Sequence, residues 1–135
     1  MQQLLVMSRS AVLVNGILGP WITYKGGLRQ GDALSPYLFL LVADVLQTMV
    51  KADARIKHPM TDGTTPVLLY VDDTIILVHA DICSVQRLKQ ALDNFSMCTG
   101  LKINFGKSTF MPMHVPPMEL QTFMELLQCK QGMFP

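Results

Sequence analysis

The chain has 135 residues, half of them hydrophobic and 16% charged, with a net charge of +1. That length supports one domain with a modest core, and that hydrophobicity excludes a disordered chain. The balanced charge lacks the basic surplus that marks a self-sufficient nucleic-acid binder.

The first readable element is a hairpin over residues 10–25. Ala11-Val12-Leu13-Val14 is β-prone, Asn15-Gly16 is the strongest short turn signal, and Trp21-Ile22-Thr23-Tyr24 is β-prone again. The return arm starts after Gly19-Pro20, which predicts a loop longer than two residues. Residues 26–34, GGLRQGDAL, form a loop with three glycines. A helix is expected from about Ser35, with Ser35 as N-cap and Pro36 as its first residue. Leu38, Leu41, Val42, Val45, Leu46 and Met49 recur at helical spacing on one face. Residues 55–66 are polar, contain Asp62-Gly63 and two prolines, and read as a connection.

Residues 67–79 then place two short apolar arms around Asp72-Asp73, a second hairpin. Residues 84–97 read as a helix with Val85, Leu88, Leu92 and Phe95 on one face and Gly100 as its C-cap. A strand with polar interruptions is expected over 101–111. Pro116-Pro117 opens a last helix striped by Leu120, Phe123, Met124 and Leu127, with Gly132 as its stop. The order of elements predicts an α+β fold, with helices on one face of a mostly antiparallel sheet.

Cys83, Cys98 and Cys129 are widely spaced and form no CxxC pair. That pattern excludes a dense disulfide framework, so no disulfide partner is expected. No stretch reaches the ~18 uninterrupted apolar residues of a membrane span, and the opening residues lack a signal-peptide pattern. The three histidines show no ligand spacing, and the ten methionines read as core filler.

The aspartate pair carries the chemistry. Strand interiors deplete Asp, and a buried carboxylate needs partners or takes up a proton. Asp72 and Asp73 therefore either occupy a turn in water, where Asp is common, or hold a cation. Carboxylate oxygens suit Mg²⁺, which is usually held by one or two carboxylates and substrate phosphates. The arms favour the cation. Val67, Leu68, Leu69 and Val71 precede the pair, and Ile75, Ile76, Leu77 and Val78 follow it. An ordinary surface hairpin alternates polar and apolar residues. Here both faces are expected to be buried, with the tip in a cleft.

Those residues carry a resemblance. YVDD (70–73) resembles the tyrosine-X-Asp-Asp signature of reverse transcriptases. GLRQGDALSPYLFLLVADVL (27–46) is similar to the segment that these enzymes place before and along a palm helix, and GLKINFGKS (100–108) to the segment after the next helix. The three stand in the family's order and cover about residues 10–115. The combination looks most like the non-LTR, LINE-type retrotransposon enzymes. Tyr70-Val71 departs from the Phe-Ala that LINE-type enzymes more often carry there, and group II intron enzymes are the nearest alternative.

The resemblance implies an incomplete polymerase palm over residues 1–115, followed by a helical start of a connection over 116–135. It implies RNA-templated DNA synthesis by two Mg²⁺ ions about 3.5–4 Å apart, with Mn²⁺ as an alternative ion. RNA template, DNA primer and deoxynucleoside triphosphates are the implied partners, with no membrane, in a nuclear or cytoplasmic setting. Asp72 and Asp73 would hold the metal and Tyr70 would pack near the primer end. Arg29, Gln30 and Gly31 would line the nucleotide pocket, where glycine allows close backbone approach. Lys107 would donate a proton to pyrophosphate or contact a phosphate.

Plainer readings stand beside these. Arg29 and Gln30 could cap the following helix or face water. Asp32 suits a helix N-terminus as an anion better than a metal site. Lys102 and Lys107 alternate with Ile103 and Phe105 and read as a solvated face. The whole chain could also be a non-catalytic RNA-binding or interaction module on the same scaffold. Residues 1–31 contain no Asp and no Glu, whereas the resemblance calls for a further metal-binding Asp upstream of residue 27. The expectation is a chain that does not polymerise by itself.

Overall fold

The computed structural model describes residues 9–23, 31–59, 66–70 and 73–133. The architecture is α+β, and the chain divides into two compact units, Met1–Leu40 and Leu41–Pro135.

In the first unit, β2 (Leu13–Val14) pairs antiparallel with β3 (Ile17–Leu18). The turn between them is Asn15-Gly16, with φ of 49° and 79°. Two consecutive positive φ values define the tight turn whose twist matches a hairpin. The loop is therefore two residues long, shorter than the sequence spacing suggests. Outside it, β1 (Arg9–Ser10) pairs with β4 (Ile22–Thr23). Between the inner and outer pairs the return arm has one residue more than the first arm, so the ribbon carries a bulge. Pro20 has no N–H to give to a ladder. The Gly19 N–H instead donates to the Val12 carbonyl at 2.9 Å, and a Cβ on Gly19 would lie 3.1 Å from that oxygen. The bulge explains why the return arm looked late in the sequence.

Helix α1 spans Ser35–Ala52. It starts on Ser35 itself, one residue earlier than a Ser35 cap would allow, and the Leu34 carbonyl accepts from the Leu38 N–H at 3.1 Å. The Asp32 side chain accepts from the Leu34 N–H at 2.9 Å, which suits an anion before a helix.

The second unit holds two apolar clusters. The larger gathers Leu46 and Val50 of α1, Ile56, Val67, and Leu88, Ala91, Leu92 and Phe95 of α2 (Ile82–Thr99). The expected face of α2 is the buried one. Its ends follow local chemistry. Asp81 caps the start by accepting from the Ser84 N–H, and Gly100, at φ 76°, closes the end with its N–H on the Ser96 carbonyl. On α1 the buried face is rotated from the expected stripe. Ala43, Leu46 and Val50 are inside, whereas Leu41 is 62% and Val45 46% exposed. Apolar residues cover most of this helix, so periodicity leaves its orientation open, and the packing partners select one side.

The smaller cluster joins Val85 of α2 to Phe123 and Leu127 of α3 (Pro117–Leu127). Gln128, at φ 55°, ends α3 with its N–H on the Met124 carbonyl, so the helix stops before Gly132. Gly132 has another task. β7 (Thr109–Phe110) and β8 (Lys130–Gln131) pair in parallel, the Gly132 N–H bonds the Phe110 carbonyl at 2.9 Å, and a Cβ there would collide with the Thr109 methyl.

The strand expected over 101–111 reduces to Thr109–Phe110. Asn104 turns the chain before it. Its carbonyl accepts from the Lys107 and Ser108 N–H groups at 3.0 Å each, and its Oδ1 from the Lys107 N–H at 3.2 Å. Asn favours such local bonds over a ladder. The alternation survives without the strand, because Ile103 and Phe105 pack on the larger cluster while Lys102 and Lys107 are exposed.

Among the described residues the strands pair two by two, and three of the four pairs are antiparallel. No described helix is long and apolar enough to cross a membrane. The three cysteines are free thiols.

Candidate active site

The site is built on β5 (Val67–Tyr70) and β6 (Asp73–Ile76), antiparallel strands with Tyr70 opposite Asp73, Leu68 opposite Ile75 and Val67 opposite Ile76. β-Branched and aliphatic residues favour the pleated conformation on both arms. Residues opposite one another share a face, so Leu68, Tyr70, Asp73 and Ile75 lie on one side and Val67, Leu69, Thr74 and Ile76 on the other. Val67 and Ile76 pack on the larger cluster. The other face is bare, with Tyr70 79% exposed and Leu68 and Ile75 more than half exposed. The expectation that both faces are buried is thus corrected. The larger cluster covers one side of this ribbon, and the second side is left more than half exposed.

The Asp73 carboxylate is exposed, and no ion pair or side-chain hydrogen bond with a described residue engages it. A hard, uncommitted oxygen donor of this kind fits a divalent cation. Asp72, Arg29 and Gln30 lie outside the described residues. Gly31, in the first unit, has φ of 83° and open space where a side chain would stand, so glycine is required there by backbone conformation rather than crowding. Lys107 stands exposed in the Asn104 turn. The structure brings together Tyr70 and Asp73. Among the described residues no group of three or more His, Cys, Asp or Glu side chains gathers at metal-binding spacing.

The root of the hairpin is held by a set of hydrogen bonds around one buried hydroxyl, that of Ser84, which sequence reasoning missed. Past the Val67–Ile76 pair, the Leu77 N–H donates to the Pro66 carbonyl at 2.8 Å. The His79 N–H reaches the Lys57 carbonyl, and the Asp81 N–H the His79 carbonyl, each at 2.8 Å. Ser84 has no exposed surface. Its Oγ donates to Asp81 Oδ2 at 2.7 Å and accepts from the Lys57 N–H at 3.1 Å. The Ser84 hydroxyl, then the Ser84 N–H, hold the Asp81 carboxyl below its ordinary pKa, because both bonds favour the charged form. The Asp-x-x-Ser spacing at a helix start was a readable capping signal, but the long-range half of the set had none.

Comparison with known proteins adds a second line of observation. Residues 2–124 match the family of reverse transcriptases (RNA-dependent DNA polymerases). Over 87 residues the chain is 32% identical to the retrovirus-related Pol polyprotein from type-1 retrotransposable element R2 of Popillia japonica, an alignment covering 64% of this chain and 12% of that protein. Over 68 residues it is 37% identical to an uncharacterized mitochondrial protein of Arabidopsis thaliana, covering 46% of this chain and 56% of that one. The chain thus spans a small part of the first relative and just over half of the second.

Proposed function

The chain belongs to the reverse transcriptase (RNA-dependent DNA polymerase) family, and from that membership we propose that it carries the acidic hairpin of a LINE-type polymerising site. The family works with divalent metal ions on nucleic-acid templates and nucleotides. The observation that carries the reading is the exposed, uncommitted carboxylate of Asp73 beside the exposed Tyr70 ring.

In this reading Asp72 and Asp73 hold Mg²⁺, with Mn²⁺ as a substitute. When bound, the ion stabilises charge on the attacking and leaving oxygens of nucleotidyl transfer. Tyr70 offers a flat, rigid surface to the primer end. Arg29, Gln30 and Gly31 contribute to the nucleotide pocket, and Lys107 contacts a phosphate. Residues 1–115 form part of the palm, and 116–135 begin a connection. The 135 residues supply no carboxylate before Asp32. In this reading a further carboxylate joins Asp72 and Asp73 at the metal, and primer extension is not expected of these residues by themselves. Template-dependent primer extension is the test. No extension by this chain is expected, and extension abolished by Asp72→Asn would overturn the inactivity while supporting the site.

One observation favours a second reading. The first-unit hairpin exposes Leu13, Ile17, Leu18 and Trp21 by more than half, as an interaction module would. RNA affinity that falls with salt yet ignores Asp72→Asn would favour that reading.

A further inference from the structure

We propose that Ser84, together with Asp81, is a positioning residue for the hairpin that presents Asp73. The inference rests on the metal-holding reading of Asp73 given above. A two-stranded ribbon is marginal by itself, and this one is held by the core on a single face near its root, through Val67 and Ile76. Its placement therefore depends on what fixes that root.

A continuous set of hydrogen bonds does so. Ser84 Oγ has one proton, and the 2.7 Å bond to the Asp81 carboxylate takes it, with the Arg55 carbonyl a weaker second acceptor at 3.3 Å. The same oxygen accepts from Lys57, whose carbonyl accepts from His79. The segment after α1 is thereby tied to the first turn of α2 and to the exit of β6 at once. The His79 N–H lies two residues beyond Leu77, which closes the ladder on Pro66.

The lever explains why a distant hydroxyl matters. Asp73 stands three residues before Ile76, so at the usual strand rise it lies about 10 Å from the fixed end. A root tilt of about 6° moves the carboxylate by about 1 Å at that reach. Metal–ligand distances tolerate about 0.2 Å. A small loosening at the root is enough to weaken the ion's hold, without any contact between Ser84 and the ion.

The experiment titrates Mn²⁺ alone into the full chain and counts bound ion from loss of the free-ion paramagnetic signal. Binding abolished by Asp73→Asn defines the site. Amide exchange at Leu77 is followed in the same samples. Ser84→Ala is expected to weaken that binding by about tenfold, the low end for groups that orient metal ligands, and to speed exchange at Leu77. Asp81→Asn keeps an acceptor for the helix cap and should move both readouts in the same direction. It also serves if Ser84→Ala fails to fold. Phe123→Leu, in the other cluster, should leave Mn²⁺ binding unchanged. Unchanged binding in Ser84→Ala and Asp81→Asn would overturn the positioning role, as would an equal loss in Phe123→Leu. Absence of Asp73-dependent binding in the parent chain would overturn the metal reading and this inference with it.

Discussion

Replacing Phe123 by Ala tests whether the smaller cluster is a true part of the folded unit. The Phe123 ring is 1% exposed and meets the Phe110 ring edge-on, with centroids 6.1 Å apart and an interplanar angle of 75°. Truncation removes roughly 120–150 Å² of buried apolar surface, worth about 3 kcal/mol at the usual coefficient. Loss of the aromatic pair adds about 1 kcal/mol. The neighbours Phe110, Val115, Leu126 and Cys129 are only half-buried, so the site can partly collapse, which lowers the cavity cost. The expected loss is about 3 kcal/mol, a large share of the ~5–15 kcal/mol that holds a domain folded. It corresponds to a midpoint lowered by roughly 9 °C for a chain of this size. Urea titration followed by circular dichroism, at micromolar chain concentration, measures it. A loss under about 1 kcal/mol would refute the reasoning, because α3 would then not be packed on α2 as described.

Other outcomes follow from single residues. Gly132→Ala should open the β7–β8 pair through its collision with the Thr109 methyl, costing about 1–3 kcal/mol; Thr109→Ser should restore most of that loss, and a purely additive double mutant would count against the contact. The Asp81 carboxyl is depressed by its bonds to Ser84. Its contribution to stability is therefore complete above the unfolded value near 3.9 and is lost as pH falls through the lower folded value. Asp81→Asn should flatten the fall of the urea midpoint between about pH 5 and pH 2, and an unchanged slope would contradict the cause given. Leu13 and Ile17 stand 65% and 75% exposed, so Leu13→Thr with Ile17→Thr should reduce self-association in sedimentation while moving stability by under about 0.5 kcal/mol. A monodisperse parent chain would remove the basis for that expectation.

The candidate site was legible in part. Asp72-Asp73 between apolar arms announced a hairpin, and the structure pairs Tyr70 with Asp73 across it. The bare face was not legible. Leu68 and Ile75 are as apolar as Val67 and Ile76, and only the position of the core tells the two sides apart. The long-range bonds of Ser84 were equally silent, because a serine in the first turn of a helix looks like any other until Arg55 and Lys57 arrive beside it.

What the sequence determined by itself are the features set within a few residues of chain. These are the Asn15-Gly16 turn, the Gly100 cap of α2 and the buried stripe of that helix. Each depends on local φ, a nearby donor or a 3.6-residue period, all of which travel with the sequence. What tertiary structure decided are the features that need a distant partner. Ala43 and Val50 face inward while Leu41 and Val45 do not, residues 104–108 turn rather than extend, and Thr109–Phe110 pairs in parallel with Lys130–Gln131. Burial and strand pairing are free energies of contact between segments far apart in the chain. No local pattern contains the partner, so the same apolar residues read alike until the fold chooses which of them it covers.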